Sequence, residues 1–129
     1  PFEHRSFGDE LTLCQRYFYA FADGSKLSSQ HIGVAANYAS TALYMTVNPK
    51  TTMRATPTLD QTTGSNYYRA FSTTISGNSD NFDEFVIGSA STKEIFEIKG
   101  QTNVSVTAGE ATFIRFNNAS AKLFFDAEL

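Results

Sequence analysis

The stretch FVIGSASTKEIFEIKG, residues 85–100, contains two short apolar runs separated by polar residues. FVIGSAS (85–91) and EIFEIKG (94–100) are rich in Phe, Ile and Val, and Ser91-Thr92-Lys93 joins the two runs. Short β-branched and aromatic runs bounded by turn-forming residues are typical of a β-hairpin. We therefore predict two antiparallel strands in this stretch.

The same pattern extends outward in both directions. Turn signals recur at the interval that is typical of all-β folds, and no strand–helix–strand alternation is present. The further predicted strands are Ile32–Tyr38, STALYMTV (40–47), Tyr67–Ile75, NVSVT (103–107), ATFIRF (111–116) and AKLFFDAEL (121–129). The segments DQTTGSN (60–66) and SGNSDNFDE (76–84) are predicted to be polar loops, and Pro57 indicates an edge or a strand end. Eight or nine strands favour an antiparallel two-sheet sandwich, jelly-roll-like, with a small barrel as the alternative.

Helix is predicted only at the start of the chain. Ser6 is a good N-cap, and Asp9 and Glu10 follow in the first turn, so we expect a short helix or turn over residues 7–13. The next segment, CQRYFYAF (14–21), predicts a central strand covered on both faces. Some of its rings would fill the core, and the others would contact the N-terminal turn or a neighbouring subunit.

Three polar or reactive side chains near these elements carry expectations of their own. Cys14 is expected to be a buried, inert thiol. Arg16 should pair with Glu10 or Glu128 or stack on a ring, because an unpaired buried charge is costly. Arg54 is expected to form a salt bridge at a subunit interface.

Composition restricts the class of protein. The 129 residues suit one domain, residues 1–129, which the initial Pro indicates to be a fragment or a processed piece of a longer protein. Only 18% of the residues are charged, the net charge is −3, and no basic cluster occurs, so no nucleic-acid partner is expected. No membrane insertion is expected, since no apolar run approaches the length of a membrane span. A single cysteine excludes an internal disulfide.

Three sequence segments together resemble a known family: PFEHRSFGDELTLCQRYF (1–18), MRATPTL (53–59) and DAEL (126–129). They are similar to C-terminal domains of tail-fibre and other virion-associated proteins of tailed bacteriophages, notably marine phages and cyanophages. In that family the motif PFEHRS-x-x-x-EL-x-x-CQRYY opens a β-rich final domain. The opening motif is the most specific of the three, and residues 61–109 carry no family signature.

The resemblance implies a structural part of the phage virion. It implies a homotrimeric, non-enzymatic, distal tail-fibre domain that binds receptors by adhering to host-surface polysaccharide. The alternative is a capsid cement or decoration protein that stabilises the phage head. In either case the partners are copies of the chain and other virion proteins, located in the tail fibre or on the capsid surface. The resemblance transfers no catalytic residues.

The residues themselves offer little for catalysis or for a cofactor. His4, His31 and Cys14 lack the spacing of a zinc site, so no metal and no cofactor are predicted. Asp80, Asp83 and Glu84 lie together in one loop, which is not the facing pair of carboxylates that a glycosidase or glycan depolymerase needs. Calcium binding by the Asn78–Glu84 loop is an open alternative to a solvated loop.

Sugar binding calls for exposed aromatic rings beside amide or charged groups. The segments ANYAS and GSNYYRAF combine these residue types. The candidate ligand-binding residues are Asn37, Tyr38, Asn66, Tyr67, Tyr68 and Arg69. Tyr67 and Tyr68 would point to opposite faces of a strand, so one of them should face outward. An outward tyrosine could equally lie at an interface between subunits.

Overall fold

A computed structural model describes residues 6–24 and 31–128. In this part of the chain one α-helix is followed by strands, with a short 3-10 helix at Ser76–Asn78. The elements are α1 (Phe7–Gln15), β1 (Phe18–Asp23), β2 (His31–Ala39), β3 (Ala42–Val47), β4 (Thr58–Thr62), β5 (Tyr68–Phe71), β6 (Ser79–Phe82), β7 (Phe85–Ile87), β8 (Phe96–Gly100), β9 (Ala111–Phe116) and β10 (Lys122–Asp126). His4, Arg5 and residues 25–30 before β2 lie outside the described residues.

The strands form two antiparallel sheets. One has three strands in the order β1-β10-β4, and the other has seven in the order β6-β5-β9-β2-β3-β8-β7. The larger sheet curls, and this brings its last strand, β7, into contact with β4 of the smaller sheet. The strands β1-β10-β4-β7 therefore form one layer of the sandwich and the strands β2-β9-β5-β6 form the other. Strands β3 and β8 connect the two layers. This order is that of a jelly roll, and the predicted all-β sandwich with a short N-terminal helix is confirmed.

The core lies between the two sheets and is largely aromatic. Tyr68, Phe82, Phe85 and Phe116 are fully or almost fully buried. The ring centroids of the other three lie 5.0–5.7 Å from that of Tyr68, a separation at which aromatic pairs attract. Phe96 and Phe125 form a second pair at 4.6 Å. These contacts connect β5, β6, β7 and β9 to one another and join β8 to β10.

The helix agrees with the prediction and extends two residues further. The Ser6 hydroxyl accepts a hydrogen bond from the Asp9 amide at 3.2 Å, which caps the first turn. None of the helical residues is buried. The helix ends at Gln15 and is followed by a turn at Arg16 and Tyr17.

The central strand predicted for residues 14–21 is wrong. Strand β1 starts at Phe18 and lies at an edge of the three-stranded sheet, where β10 is its one neighbour among the described strands. Its rings are half-buried because a strand with one neighbour covers them incompletely. The Cys14 thiol is exposed rather than buried, since residue 14 still belongs to the uncovered helix.

Arg16 is exposed, and Arg54 makes contacts within its own chain. The Arg16 side chain is exposed, so its charge stays hydrated and needs no buried partner. One Arg54 NH group donates to the carbonyl oxygen of Ala127 at 3.2 Å, and the guanidinium lies 5.7 Å from the centre of the Tyr17 ring. Arg54 therefore fixes the end of the chain within the subunit.

Two element predictions between residues 76 and 107 also need correction. The predicted loop 76–84 contains β6, because pairing with β5 satisfies its backbone and Phe82 enters the core. The predicted strand NVSVT does not form. Val104 and Val106 are buried, but the segment pairs with no ladder, and the Val106 amide donates to the carbonyl of Ser40.

Candidate functional site

The outward surface of the seven-stranded sheet, which we call the outer face, carries aromatic rings and cationic side chains. Alternation along β2 places Ala35 and Asn37 inside and Val34, Ala36 and Tyr38 outside. The outward residues of the neighbouring strands are Arg69 and Phe71 on β5, Ala111, Phe113 and Arg115 on β9, Tyr44 and Thr46 on β3, and Glu97 and Lys99 on β8.

Two tyrosines form a stacked pair on this face, which we call the tyrosine pair. Tyr38 and Tyr44 have ring centroids 4.7 Å apart and planes tilted by only 8°. The pair results from the short β2–β3 connection, which places Tyr44 directly opposite Ala36 and makes Tyr38 its diagonal neighbour. Tyr38 is 72% exposed, and the Lys99 ammonium lies 4.9 Å from the centre of the Tyr44 ring.

Small residues lie between the tyrosine pair and a second apolar group. Ala36 faces Ala111 across β2 and β9, and their methyl groups leave the sheet low at this point. Val34 and Phe113, also direct neighbours, stand on the far side and are 56% and 45% exposed. The outer face is therefore a shallow apolar surface bordered by rings.

Two arginines, the arginine pair, lie further along the same face. Arg69 on β5 and Arg115 on β9 are directly opposite in the register. The Arg69 guanidinium donates to the side-chain oxygens of Asn81 at 3.2 Å and Asn117 at 2.9 Å. Uncharged amides therefore hold it in position.

Arg115 is held by aromatic rings. Its guanidinium lies 4.5 Å from the centre of the Phe71 ring, and its Nε donates to Nδ1 of His31 at 3.2 Å. The His31 ring in turn stacks on Phe113 at 4.2 Å. The planar cation thus lies within a fixed aromatic frame.

Two of the residues proposed from the sequence lie inside the protein. Tyr68 is fully buried, and burial raises the pKa of its hydroxyl well above the usual value. Asn37 is 2% exposed; its amide donates to the carbonyl of Thr107, and its oxygen accepts from the Thr112 hydroxyl. Neither can contact a surface ligand, so both leave the candidate set and have structural roles.

Asn66 and Tyr67 organise the turn before β5. Asn66 has a φ of 58°, its amide donates to Asp83 Oδ1 at 2.8 Å, and its side-chain oxygen accepts from Asn103. Tyr67 is half-buried against the core. The structure therefore places only Tyr38 and Arg69, of the six sequence candidates, on the outer face.

Sequence reasoning missed Tyr44, Arg115, His31 and Phe113. Alternation within ATFIRF places Phe113 and Arg115 on one side of β9, so a partial signal was present. The pairing of Arg115 with Arg69 depends on a register between strands 46 residues apart, which no local pattern contains.

The acidic loop shows no arrangement that would favour calcium over a solvated loop. Asp80 accepts a hydrogen bond from the Ser105 amide, Asp83 accepts from the Asn66 amide, and Glu84 accepts from the Thr102 hydroxyl. Among residues 6–24 and 31–128, no three His, Cys, Asp or Glu side chains come together as metal ligands would. The three carboxylates instead connect neighbouring loops.

A cleft of about 460 Å³ lies between β1 and the start of β2. Half-exposed apolar residues dominate its lining, which contains one carboxylate, Asp23, and one imidazole, His31. A glycosidase needs two carboxyl groups facing each other across the substrate. The described lining of this cleft does not provide such a pair.

No protein-family model, curated protein or solved structure matches this chain. In the part of the chain that the structure describes, no helix is long and apolar enough to cross a membrane. The chemistry of the outer face is therefore the main basis for inferring a function.

Proposed function

We propose that this protein is a non-enzymatic adhesion domain of a phage virion, located at the distal end of a tail fibre, which binds glycan on the host surface. The observation that carries the binding role is the tyrosine pair, the exposed Tyr38 and the half-buried Tyr44, beside the alanine surface of β2 and β9. Flat rings stack on the apolar faces of sugars, while hydroxyl and ammonium groups at their borders bind sugar hydroxyls.

The shape of the outer face fits a long, repetitive ligand. It is open and shallow, so a polysaccharide could lie across it without threading into a pocket. An exposed apolar area bordered by polar groups is typical of an interaction surface. A single shallow site binds weakly, and several copies on one fibre would raise the overall affinity through avidity.

The virion context rests on the resemblance of residues 1–18, 53–59 and 126–129 to tail-fibre domains. Self-association has independent support in the uncovered helix. Phe7 and Leu11 lie one turn apart on α1 and are 83% and 45% exposed, a stripe that a second copy would cover. Because α1 contacts β1 of the other sheet, assembly through α1 need not involve the tyrosine pair.

The binding role is tested on an array of neutral and acidic bacterial surface glycans. We expect the wild-type protein to bind, and Tyr38→Ala to weaken binding to the same glycan about tenfold, or about 1.4 kcal/mol. Ile95→Ala, which removes another exposed apolar side chain in the β7–β8 connection, is the control and should bind as the wild type does. Absence of wild-type binding, or equal binding by Tyr38→Ala, would contradict the proposal.

Position in the particle is tested by gold labelling of virions with an antibody against the chain. Label at the fibre tips supports the tail-fibre assignment. Label over the capsid shell would overturn it in favour of a decoration protein.

A further inference from the structure

We propose that the arginine pair, Arg69 and Arg115, binds an acidic group of the glycan, either a carboxylate or a sulfate. This inference rests on the glycan-binding role proposed above and names the class of glycan: an acidic polysaccharide rather than a neutral one.

The first support is the opposition of like charges. Arg69 and Arg115 are direct partners on adjacent antiparallel strands, and their Cβ atoms point to the same face. Like charges in such directly opposite positions destabilise a sheet. A bound anion would offset that repulsion, whereas the pair of like charges does not stabilise the fold by itself.

The second support is the lack of a protein counterion. The ion pairs found within the described part of the chain join Lys99 to Glu97 at 3.6 Å and Lys122 to Asp60 at 3.4 Å. Neither involves the arginine pair, so no described carboxylate lies within 4 Å of either guanidinium. The whole chain has a net charge of −3, which makes two uncompensated cations at adjacent positions a local feature rather than a consequence of composition.

The third support is preorganisation by groups that carry no negative charge. Asn81 and Asn117 fix Arg69, while Phe71 and His31 fix Arg115. These partners orient both guanidiniums without neutralising them. A guanidinium donates two parallel N–H groups, which match the oxygens of a carboxylate or sulfate and favour the anion over a neutral hydroxyl.

The position of the pair also fits one continuous ligand. Arg115 and Ala111 are four residues apart on β9, about 13 Å, and Ala111 is separated from Tyr44 by one intervening strand, about 10 Å across the sheet. Phe113, Val34 and Ala36 lie between the two groups on the same face. A chain of several sugars could therefore stack on the tyrosine pair and place an acidic substituent at the arginine pair.

The test compares binding of alginate, which carries carboxylates, dextran sulfate, which carries sulfates, and neutral dextran. The variants are Arg115→Gln and Arg69→Gln/Arg115→Gln. The control is Arg16→Gln/Lys50→Gln, which removes two positive charges at exposed positions away from the outer face. We expect the wild type and the control to bind at least one acidic polymer at least tenfold more tightly than dextran, and this preference to weaken as salt screens the charges.

Both substituted variants should lose most of the preference for the acidic polymer. Arg115→Gln should also keep or raise the melting temperature, because it removes the like-charge contact; a purely structural arginine would lower it. Arg69→Lys/Arg115→Lys keeps the charge without the planar fork, and we expect it to restore only part of the binding.

The outcomes separate the two proposals. If the wild type binds dextran as well as alginate and dextran sulfate, the acidic-group inference fails while glycan binding stands. If it binds no glycan on the array either, both fail. Equal acidic binding by the wild type and the Gln variants would overturn the assignment to the arginine pair. Selective binding of a poly-glutamate peptide over both acidic polysaccharides would overturn it in favour of a protein ligand.

Discussion

At the scale of single residues, alternation along a strand predicts that adjacent side chains face opposite sides, but not which of them is buried. Alternation along a strand predicts that one of Tyr67 and Tyr68 faces outward, but Tyr67 lies in the turn before β5 and is half-buried against the core. Which of them is buried depends on pairing with Phe116 and Phe82, which are distant in sequence. The same holds for Asn37 and Tyr38, where the amide enters the core and the ring faces solvent.

Burial of Tyr68 makes stability depend on pH at the alkaline end. The unfolded chain ionises this tyrosine near pH 10, whereas burial keeps it protonated to higher pH in the native protein. Above pH 10 the native state therefore binds more protons than the unfolded state, and its free energy of unfolding falls as pH rises. Below pH 10 this contribution is fully present.

We predict that raising the pH from 9 to 11 lowers the free energy of unfolding of the wild type by about 1.4 kcal/mol more than that of Tyr68→Phe. Urea denaturation at both pH values measures the difference. Phe113→Leu, an exposed substitution that removes no titratable group, should follow the wild type. Parallel curves for Tyr68→Phe and the wild type would show that Tyr68 ionises equally in both states.

At the scale of elements, local patterns identified strands but not their neighbours. The predicted hairpin over 85–100 forms as β7 and β8, because its two runs pair with each other. The central strand predicted for residues 14–21 does not form. The prediction failed because an aromatic run does not specify which strands lie beside it. Strand β6 was missed because its residues are polar and its order comes from pairing with β5.

One side chain closes the gap between the two sheets. Gln61 on β4 accepts from the Phe85 amide with Oε1 at 3.2 Å and donates from Nε2 to the Phe85 carbonyl oxygen. Its amide thus takes the place of one backbone pair between β4 and β7. Nearby, the Thr63 hydroxyl donates to the carbonyl of Asp83 and continues this connection.

We predict that Gln61→Leu lowers the free energy of unfolding by about 1–3 kcal/mol, because it leaves the Phe85 amide and carbonyl without partners. Thr62→Val, at the exposed neighbouring position, should change it by less than about 0.5 kcal/mol. Chemical denaturation of the three proteins makes the comparison. If Gln61→Leu is as stable as the Thr62 control, the side-chain bridge contributes nothing to closing the sandwich.

At the scale of the whole molecule, the fold class was predictable and the recognition surface was not. Many short strands, frequent turn signals and few charges favoured a sandwich before any pairing was known. The outer face combines residues from β2, β3, β5 and β9, so it exists only once the strands have their register. Only Tyr38 and Arg69 could be proposed beforehand.

The exposed stripe on α1 predicts how copies of the whole molecule assemble. We expect the wild-type protein to be trimeric in light scattering coupled to size-exclusion chromatography, and Phe7→Asp/Leu11→Asp to be monomeric, because charges on the exposed helical stripe oppose its burial. Thr12→Glu, at an exposed position on another side of α1, is the control and should remain trimeric. A monomeric wild type, or a double variant of unchanged mass, would contradict assembly through α1.

Glycan recognition by the outer face of the seven-stranded sheet is the proposal on which the others depend. Its most direct measurement is an amide NMR titration with oligosaccharides prepared from whichever of alginate and dextran sulfate binds more tightly. We expect the largest shifts in β2, β3, β5 and β9, around Tyr38, Tyr44, Arg69 and Arg115. Shifts confined to α1 and β1, or no shifts at saturating oligosaccharide, would contradict it.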